Sequence, residues 1–196
     1  MRISIITPSF NQGIFIEETI RSVLEQDHDD IEYIVMDGGS TDGTVDVLRK
    51  YPQVQWVSER DRGQSDAINK GFRRATGEVM AWLNSDDRYA PRILGEVMRY
   101  FAAHPACRLL YGDITFMGRD GSRLYDLAGD KLSYASLVAC PDLVRQPSTF
   151  WRRSLVEERG GVDESLHVVM DLDFFLRIGH GERFHYLPRV LSHYRC

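Results

Sequence analysis

Three clusters of acids and amides in this 196-residue chain have the types and spacing to do chemistry. The first is Asn84-Ser85-Asp86-Asp87, where the apolar run Met80-Ala81-Trp82-Leu83 stops abruptly at two adjacent carboxylates. Neighbouring acids repel each other, and a hard cation offsets that repulsion through oxygen ligands. Alternate residues of an extended segment share a face, so Asn84 and Asp86 can address one ligand. One carboxylate together with a ligand's own phosphates would complete an oxygen-rich site for Mg2+ or Mn2+, weak until the substrate arrives. The rival reading is an N-cap, with Asp86 or Asp87 serving a helix that starts near Pro91.

The second cluster is Asp37-Gly38-Gly39-Ser40-Thr41-Asp42-Gly43. Its glycines permit a tight turn and close approach to a ligand, and Asp37 could accept hydrogen bonds from a base or ribose. It carries neither GK[ST] nor GxGxxG, so neither phosphate fingerprint applies, and a turn with an N-cap is the plainer reading. The third is Asp171 and Asp173, at the start of the amphipathic stretch 170–178. Residues two apart on a helix do not share a face, and the helix dipole favours an acid at either position. Arg177 follows Asp173 by four residues, the spacing of an ion pair, which leaves Asp171 as the candidate base.

Other candidates carry less. The six histidines show no HExxH-like spacing, and only His193, in a closing polar-aromatic strand, is a minor candidate metal ligand. Trp56, Trp82 and Trp151 suit a core better than a stacking platform. Ser148-Thr149 lacks a nucleophile elbow, so a hydrolase triad is not supported.

The elements that must position these groups follow from periodicity. Strand patterns at 3–6, 31–36, 54–58 and 78–83 alternate with helical spacing at Ile16, Ile20, Val23 and Leu24, at 44–51, and at Ala67, Ile68, Gly71, Phe72 and Ala75. That rhythm predicts an α/β fold whose mostly parallel central sheet is covered by helices on both faces. Each polar cluster of this half follows a strand, which gathers them at one sheet edge, where open α/β sheets bind ligands. The second half predicts a helix over 91–104, a strand over 109–116, a hairpin turn at Gly118-Arg119-Asp120-Gly121 into 122–127, and a strand over 146–151. A helix over 152–159 ends at Gly160-Gly161, and a strand pair, 184–187 and 190–194, closes the chain. Residues 130–143 are expected to be irregular with a short helix between 132 and 138.

Composition narrows the class. A length of 196 residues suits one domain, and 43% hydrophobic with 27% charged residues is ordinary for a soluble globular protein. A net charge of −5 without a basic run argues against a nucleic-acid partner. Cys107, Cys140 and Cys196 form no CxxC pair and suit reduced thiols. No apolar run approaches the roughly 20 residues of a membrane span, and the N-terminal run meets Pro8 too soon for a signal peptide. The expected location is cytoplasmic, compatible with peripheral association at the inner face of the membrane and with a homodimer.

Taken in order, Thr7-Pro8-Ser9-Phe10-Asn11, the 37–44 loop, Asn69-Lys70-Gly71, Gly77-Glu78, Leu83-Asn84-Ser85-Asp86-Asp87, Gln146-Pro147-Ser148 and Met170-Asp171-Leu172-Asp173 resemble the family-two, GT-A-fold glycosyltransferases. The resemblance implies a single GT-A domain over 1–196, with a nucleotide-sugar-binding half (1–115), a half for acceptor and base (116–196), and a small antiparallel portion on the acceptor side. The implied reaction moves a sugar from a nucleoside-diphosphate donor, a UDP-sugar first, to a hydroxyl on a glycan, lipid-linked or other acceptor, with inversion. Polysaccharide or glycoconjugate synthesis is the implied setting. By position, Thr7, Pro8 and Phe10 would flank the base and Asp37 would bind base or ribose. Asp61, Gln64 and Asp66 fall in the third nucleotide-contacting segment. Asn84-Ser85-Asp86 occupies the DxD position with Asp86 as ligand to Mn2+ or Mg2+, and Asp171 matches the general base. Asn84 replaces the usual first Asp, and Met170 the usual Glu before the base.

Members of the family often carry a further metal-contacting His after a motif like Leu191-Ser192-His193-Tyr194-Arg195, whereas this sequence stops at Cys196. Three explanations are open: truncation, substitution by His193, or an incomplete donor site. If the chain is complete, weak diphosphate affinity is expected. A non-catalytic nucleotide-sugar-binding or scaffold protein is the alternative from another class. A nucleotidyltransferase would need a basic triphosphate loop, of which Arg60 and Arg62 are the only hint.

Overall fold

A computed structural model describes residues 1–129, 132–140 and 145–196. The parts of the expected irregular stretch at 130–131 and 141–143 lie outside the described residues. Strand β1 (Ile3–Ser9) is buried along its whole length, as expected of a strand covered on both faces. It pairs in parallel with β2 (Ile31–Asp37) on one side and β4 (Val79–Trp82) on the other, while β3 (Gln55–Ser58) extends the sheet beyond β2. Side-chain alternation splits the core in two. Ile3, Ile5, Tyr33, Val35, Val79 and Ala81 pack with α1 (Ile16–Leu24) and α2 (Thr44–Leu48). Ile6, Ile34, Met36, Met80 and Trp82 face the opposite layer, with α3 (Gln64–Arg74).

The order β3-β2-β1-β4 means that α3 carries the chain back across the other face before β4 begins. Between β1 and β4 the winding therefore reverses, and the C-terminal ends of those strands border the crevice where such sheets take ligands. Gly71 permits this crossing, because a Cβ there would collide with Cγ2 of Ile6. Its neighbour Asn69 ties α3 to a distant loop, donating Nδ2 to the Val162 carbonyl at 2.8 Å and accepting the Val162 N–H at 2.9 Å. The N-terminal ends of the strands are joined by Glu32, which accepts hydrogen bonds from Ser4 Oγ (2.5 Å), Thr76 N (2.7 Å) and Thr76 Oγ1 (2.9 Å).

Beyond β4 the sheet continues through β8 (Thr149–Arg152), β6 (Leu109–Met117) and β9 (Phe184–Arg195) to the short β5 (Arg88–Tyr89). β7 (Arg123–Leu127) pairs with β6 as the expected hairpin. Following the pairings, β1, β2, β3, β4, β6 and β9 run one way, and β5, β7 and β8 run the other. One sheet thus spans both expected halves. α4 (Leu94–Ala103) joins the first layer, while α5 (Tyr134–Ala139), α6 (Arg153–Arg159) and α7 (Met170–Gly179) join the second.

Three boundaries differ from expectation. Gln146–Ser148 is a turn of 3-10 helix, closed by the Ser148 N–H to the Arg145 carbonyl at 2.9 Å, and the strand starts only at Thr149. Pro147 has no N–H to give a ladder, which explains the delay. The closing strand pair is one 12-residue strand, β9. Its register to β6 slips between Gly112 and Asp113, where Pro188 and Arg189 are looped out as a bulge, a usual place for proline in a sheet. The helix expected from residue 91 begins at Leu94, because Tyr89 and the stretch before it are drawn into pairing with β9.

Candidate active site

β4 delivers Asn84 to the switch point, and the residues that follow are clamped from both sides. Thr19 of α1 shares its hydroxyl between the carbonyls of Ser85 (2.9 Å) and Asp87 (2.7 Å). Arg195, at the end of β9, donates Nε to the Asp86 carbonyl and its backbone N–H to Asp87 Oδ1, both at 2.8 Å. The same guanidinium reaches Glu18 and the Arg119 carbonyl, each at 2.7 Å, and lies 4.6 Å over the ring of Phe15. The capping alternative fails on geometry. Gln26 Oε1 takes the N–H groups of Ile93 (2.8 Å) and Leu94 (3.1 Å), and Asp27 takes that of Gly95 (2.9 Å), so α4 is capped from the end of α1.

Asp87 is 1% exposed, and its Oδ2 has no hydrogen-bond partner. Burial, followed by repulsion from Asp86, pushes its carboxyl well above the usual range, and the Arg195 N–H restores only part of that. Asp86, half-buried, is also raised by burial, against the pull of its own backbone N–H and of Arg195. Together they form a pair of acids short of positive charge, with Asp86 opening on the cleft. Among the described residues, no three His, Cys, Asp or Glu side chains converge on one point. A Mg2+ or Mn2+ ion shared with a diphosphate needs only one or two carboxylates, so Asp86, backed by the orphaned oxygen of Asp87, fits such an ion.

The cleft measures about 640 Å3 and is walled by Pro8, Phe10, Asp61, Gln64, Asn84 and Asp86, all of them anticipated from sequence. Gly38 lets its loop approach Asp61, since a Cβ would lie 2.6 Å from Asp61 Oδ2. Asn84 is the node of an amide network. Its Oδ1 accepts from Trp82 Nε1 (2.8 Å) and Gln64 Nε2 (2.9 Å), and its Nδ2 donates to Gln146 Oε1 (3.1 Å). Gln146 in turn donates Nε2 to the Trp82 carbonyl. An Asp at position 84 could not donate to Gln146 without a proton, which gives the Asn a physical reason. Gln12, Ser85 and Arg60 also line the cleft but were not anticipated as site residues. Arg60 brings the one cationic side chain among the described lining residues, and its position beside Asp61 was the signal available for it.

Three other anticipated residues, Thr7, Asp37 and Asp66, are not among those that line this cleft. Thr7 is buried, with Oγ1 3.2 Å from the Tyr33 hydroxyl. Asp37 is spent on its own turn, accepting from the N–H groups of Gly39 (3.2 Å) and Ser40 (3.0 Å) and from the hydroxyls of Ser40 and Ser58. Asp66 accepts from Arg62 N at 3.1 Å and pairs with Lys70 at 3.4 Å. Burial alone would raise its carboxyl, but these partners outweigh it and hold the acid below the usual range. Arg62 is likewise engaged, by Asp66 and by Glu164 at 2.5 Å. His193 lies in a different cleft, with Arg88 and Glu18, where burial and then Arg88 lower its pKa.

A second cleft, of about 440 Å3, adjoins the first and shares Gln64 and Asn84 with it. Asp171 lines this second cleft from the first turn of α7, together with Gln146, Met170 and Tyr194. Asp173 is taken by Arg177, Nε to Oδ2 at 2.9 Å, as the spacing anticipated, so the two acids part as expected. Arg177 also donates to the carbonyls of Gly161 (2.7 Å) and Arg159 (3.0 Å), fixing α7 to the segment before it. Met170 is buried in the layer of α3 and accepts from Ser65 Oγ at 2.8 Å, a structural use of that position.

The chain is similar in sequence and in fold to known proteins. The sequence profile of "Glycosyl transferase family 2" matches residues 4–154. A Bacillus subtilis protein named as the teichuronic acid biosynthesis glycosyltransferase TuaG is 35% identical over 127 residues, covering 62% of this chain and 50% of its own length. A PGL/p-HBAD biosynthesis glycosyltransferase of Mycobacterium bovis is 28% identical over 182 residues, 89% of this chain and 68% of its own. The chain thus spans about half the length of TuaG and two thirds of the mycobacterial protein. Among solved structures, S. aureus TarS in complex with UDP-GlcNAc superposes with a TM-score of 0.83 at 20% identity, over 100% of this chain and 59% of that one. The mannosyltransferase PcManGT of Pyrobaculum calidifontis, in complex with GDP-Man and Mn2+, gives 0.71 at 22% identity over 98% and 56%. The fold is GT-A, and the chain belongs to glycosyl transferase family 2.

Proposed function

We propose that this chain transfers a sugar from a nucleoside-diphosphate donor to an acceptor hydroxyl, with inversion at the anomeric carbon. One observation carries this reading: the cleft that holds Asp86 and the cleft that holds Asp171 meet at Gln64 and Asn84. Pro8 and Phe10 offer apolar surface to the base, Asp61 and Gln64 offer polar groups to the ribose, and Arg60 faces the charge of the diphosphate. The GDP-Man and UDP-GlcNAc complexes of the structural neighbours support a nucleotide-sugar donor, and a UDP-sugar is the first choice for this chain.

Asp86, backed by Asp87, would hold Mn2+ or Mg2+ against the diphosphate. A cation bound there supplies positive charge to the departing group, a large part of the barrier in such transfers. Asp171 accepts the proton of the acceptor hydroxyl as its oxygen forms the new bond to the anomeric carbon. The bond from that carbon to the diphosphate oxygen breaks with the electron pair leaving on the nucleoside diphosphate. Asn84 and Gln64, fixed by their mutual hydrogen bond, orient the sugar between the two acids.

Asp171→Asn tests the assignment. General-base assistance is typically worth about 10²–10⁴-fold, so turnover should fall by that factor while donor affinity stays within about twofold. Unchanged turnover with a panel of acceptors would remove Asp171 from the chemistry. A protein that binds nucleotide sugars but shows no turnover even before substitution would support the scaffold alternative.

A further inference from the structure

Another cleft, of about 440 Å3, shares no lining residue with the two that meet at Gln64 and Asn84. Successive residues of a strand face opposite ways, so β9 turns Tyr194 into the cleft of Asp171 and His193 into this one. Three arginines from three elements border it: Arg21 of α1, Arg88 of β5, and Arg92 in the turn before α4. Arg88 lies directly across from His193 in the pairing of β5 with β9, so both side chains stand on the same face. Arg88 is steadied by donating Nη2 to the Gly121 carbonyl at 3.2 Å.

Two carboxylates, Glu18 and Glu25, border the same cleft, and both are already engaged. Glu18 is held at 2.7 Å by the buried guanidinium of Arg195 and only at 3.5 Å by Arg88. Glu25 pairs with Arg21, and with both side chains largely exposed that contact exchanges readily for another anion. Four guanidiniums thus face two carboxylates, which leaves the cleft positive. Arg92 is the arginine that folding leaves unused. Among the described residues its guanidinium has no hydrogen-bond or ion-pair partner, and its φ of +56° lies in the left-handed region that favours glycine. The other non-glycine residue with positive φ, Asn11, has the short polar side chain this region tolerates and spends it on the Thr41 N–H at 2.9 Å. An arginine kept in that conformation with an idle charge, on the wall of a basic cleft, points to a ligand.

We infer that this cleft binds a phosphate group, held by Arg88 and Arg92, with Arg21 exchanging Glu25 for it. The donor set decides the class. One planar fork satisfies a carboxylate, whereas a tetrahedral phosphate has oxygens for several forks arriving from different directions. A metal ion at His193 is disfavoured because the surrounding arginines repel a cation, and the imidazole serves instead as a further hydrogen-bond partner. The group can belong to a soluble phosphate ester or to the headgroup of an anionic lipid, since the cleft meets the same chemistry in both.

Titration of the whole chain without divalent cations tests the inference. The probes are inorganic phosphate, glycerol 3-phosphate, and vesicles of phosphatidylcholine with or without phosphatidic acid. At least one phosphate probe should bind, and for a soluble one the His193 ring signals in NMR should shift with the midpoint seen by calorimetry. Arg88→Gln and Arg92→Gln should each weaken that binding by about tenfold, the worth of one charged hydrogen bond. Arg92→Gly should weaken it as much while the Tm falls by no more than about 2 °C, because glycine accepts that backbone, so a folding defect cannot imitate the result. Arg60→Gln makes the same charge change in the cleft of Asp86 and should leave binding within about twofold. The vesicles separate the sources. Sedimentation with phosphatidic acid vesicles but not with phosphatidylcholine alone identifies a lipid headgroup, and binding of the soluble probes without vesicle uptake identifies a soluble ester. No binding of any phosphate probe, or binding that Arg60→Gln weakens as much as Arg92→Gln does, would overturn the inference.

Discussion

Replacing Arg195 should loosen the acidic loop and the fold together, and the structure allows the cost to be worked out. The side chain is 4% exposed. It donates to two main-chain carbonyls, Asp86 at 2.8 Å and Arg119 at 2.7 Å, and charged donors of this kind contribute about 1.5 kcal/mol or more each. Its pairing with Glu18 is worth under about 1 kcal/mol, because the Glu18 side chain is 51% exposed and regains water when freed. The contact over Phe15 adds about 1 kcal/mol. Arg195→Ala should therefore lose about 4–5 kcal/mol, a shift in the urea midpoint of about 1.5 M for a slope near 3 kcal/mol/M. Arg195→Lys keeps a charge but not the planar fork, and it should recover less than half of that loss. The backbone N–H that holds Asp87 survives both changes, so Asp87 stays anchored while the Asp86 carbonyl is released. Weaker nucleotide binding in the presence of Mn2+, measured by calorimetry on the folded fraction, should accompany the lost stability. A midpoint shift below about 0.3 M with unchanged nucleotide affinity would refute the clamp.

Three other substitutions probe what surrounds the site. Asp87→Asn should stabilise the metal-free protein near neutral pH. The folded-state pKa of Asp87 is raised, so the native state holds the proton over a window that opens above about 3.9, and stability falls as pH rises through it. Urea denaturation of the two proteins should give similar midpoints near pH 3 and a widening gap up to pH 7, whereas parallel profiles would contradict the buried, uncompensated charge. Gly71→Ala should cost about 1–3 kcal/mol despite the better helix propensity of alanine, because its Cβ would collide with Ile6. In that background Ile6→Ala should cost less than it does in the wild type, and strictly additive losses would show that α3 has room to shift.

Much of the fold was legible because the first half obeys local rules. β1, β2 and β4 are largely apolar runs closed by a polar turn, and the helices between the first four strands have their apolar faces at helical spacing. The separation of Asp171 from Asp173 was equally accessible, since an arginine four residues on claims one acid whatever the tertiary setting. What sequence could not supply were interactions made across long separations. Whether Asp86 and Asp87 cap α4 is decided by Gln26 and Asp27, more than 60 residues earlier, and the loop is closed by Arg195, more than 100 residues later. Thr7, Asp37 and Asp66 have the residue types expected of binding groups, but Asp37 and Asp66 accept from N–H groups of their own turns, and Thr7 lies inside β1 beside the Tyr33 hydroxyl. The bulge at Pro188, which fuses two expected strands into one, likewise depends on a partner strand that no local pattern names.

The central claim is that a nucleoside-diphosphate sugar sits between β1 and β4 with its phosphates at Asp86. It is tested most directly by thermal unfolding of the wild type, Asp86→Asn and Asp171→Asn against a panel of UDP- and GDP-sugars, each with and without Mn2+. At least one nucleotide sugar should raise the Tm of the wild type and of Asp171→Asn when Mn2+ is present, and should lose most of that effect in Asp86→Asn. No stabilisation by any member of the panel, or full stabilisation that survives the loss of Asp86, would contradict it.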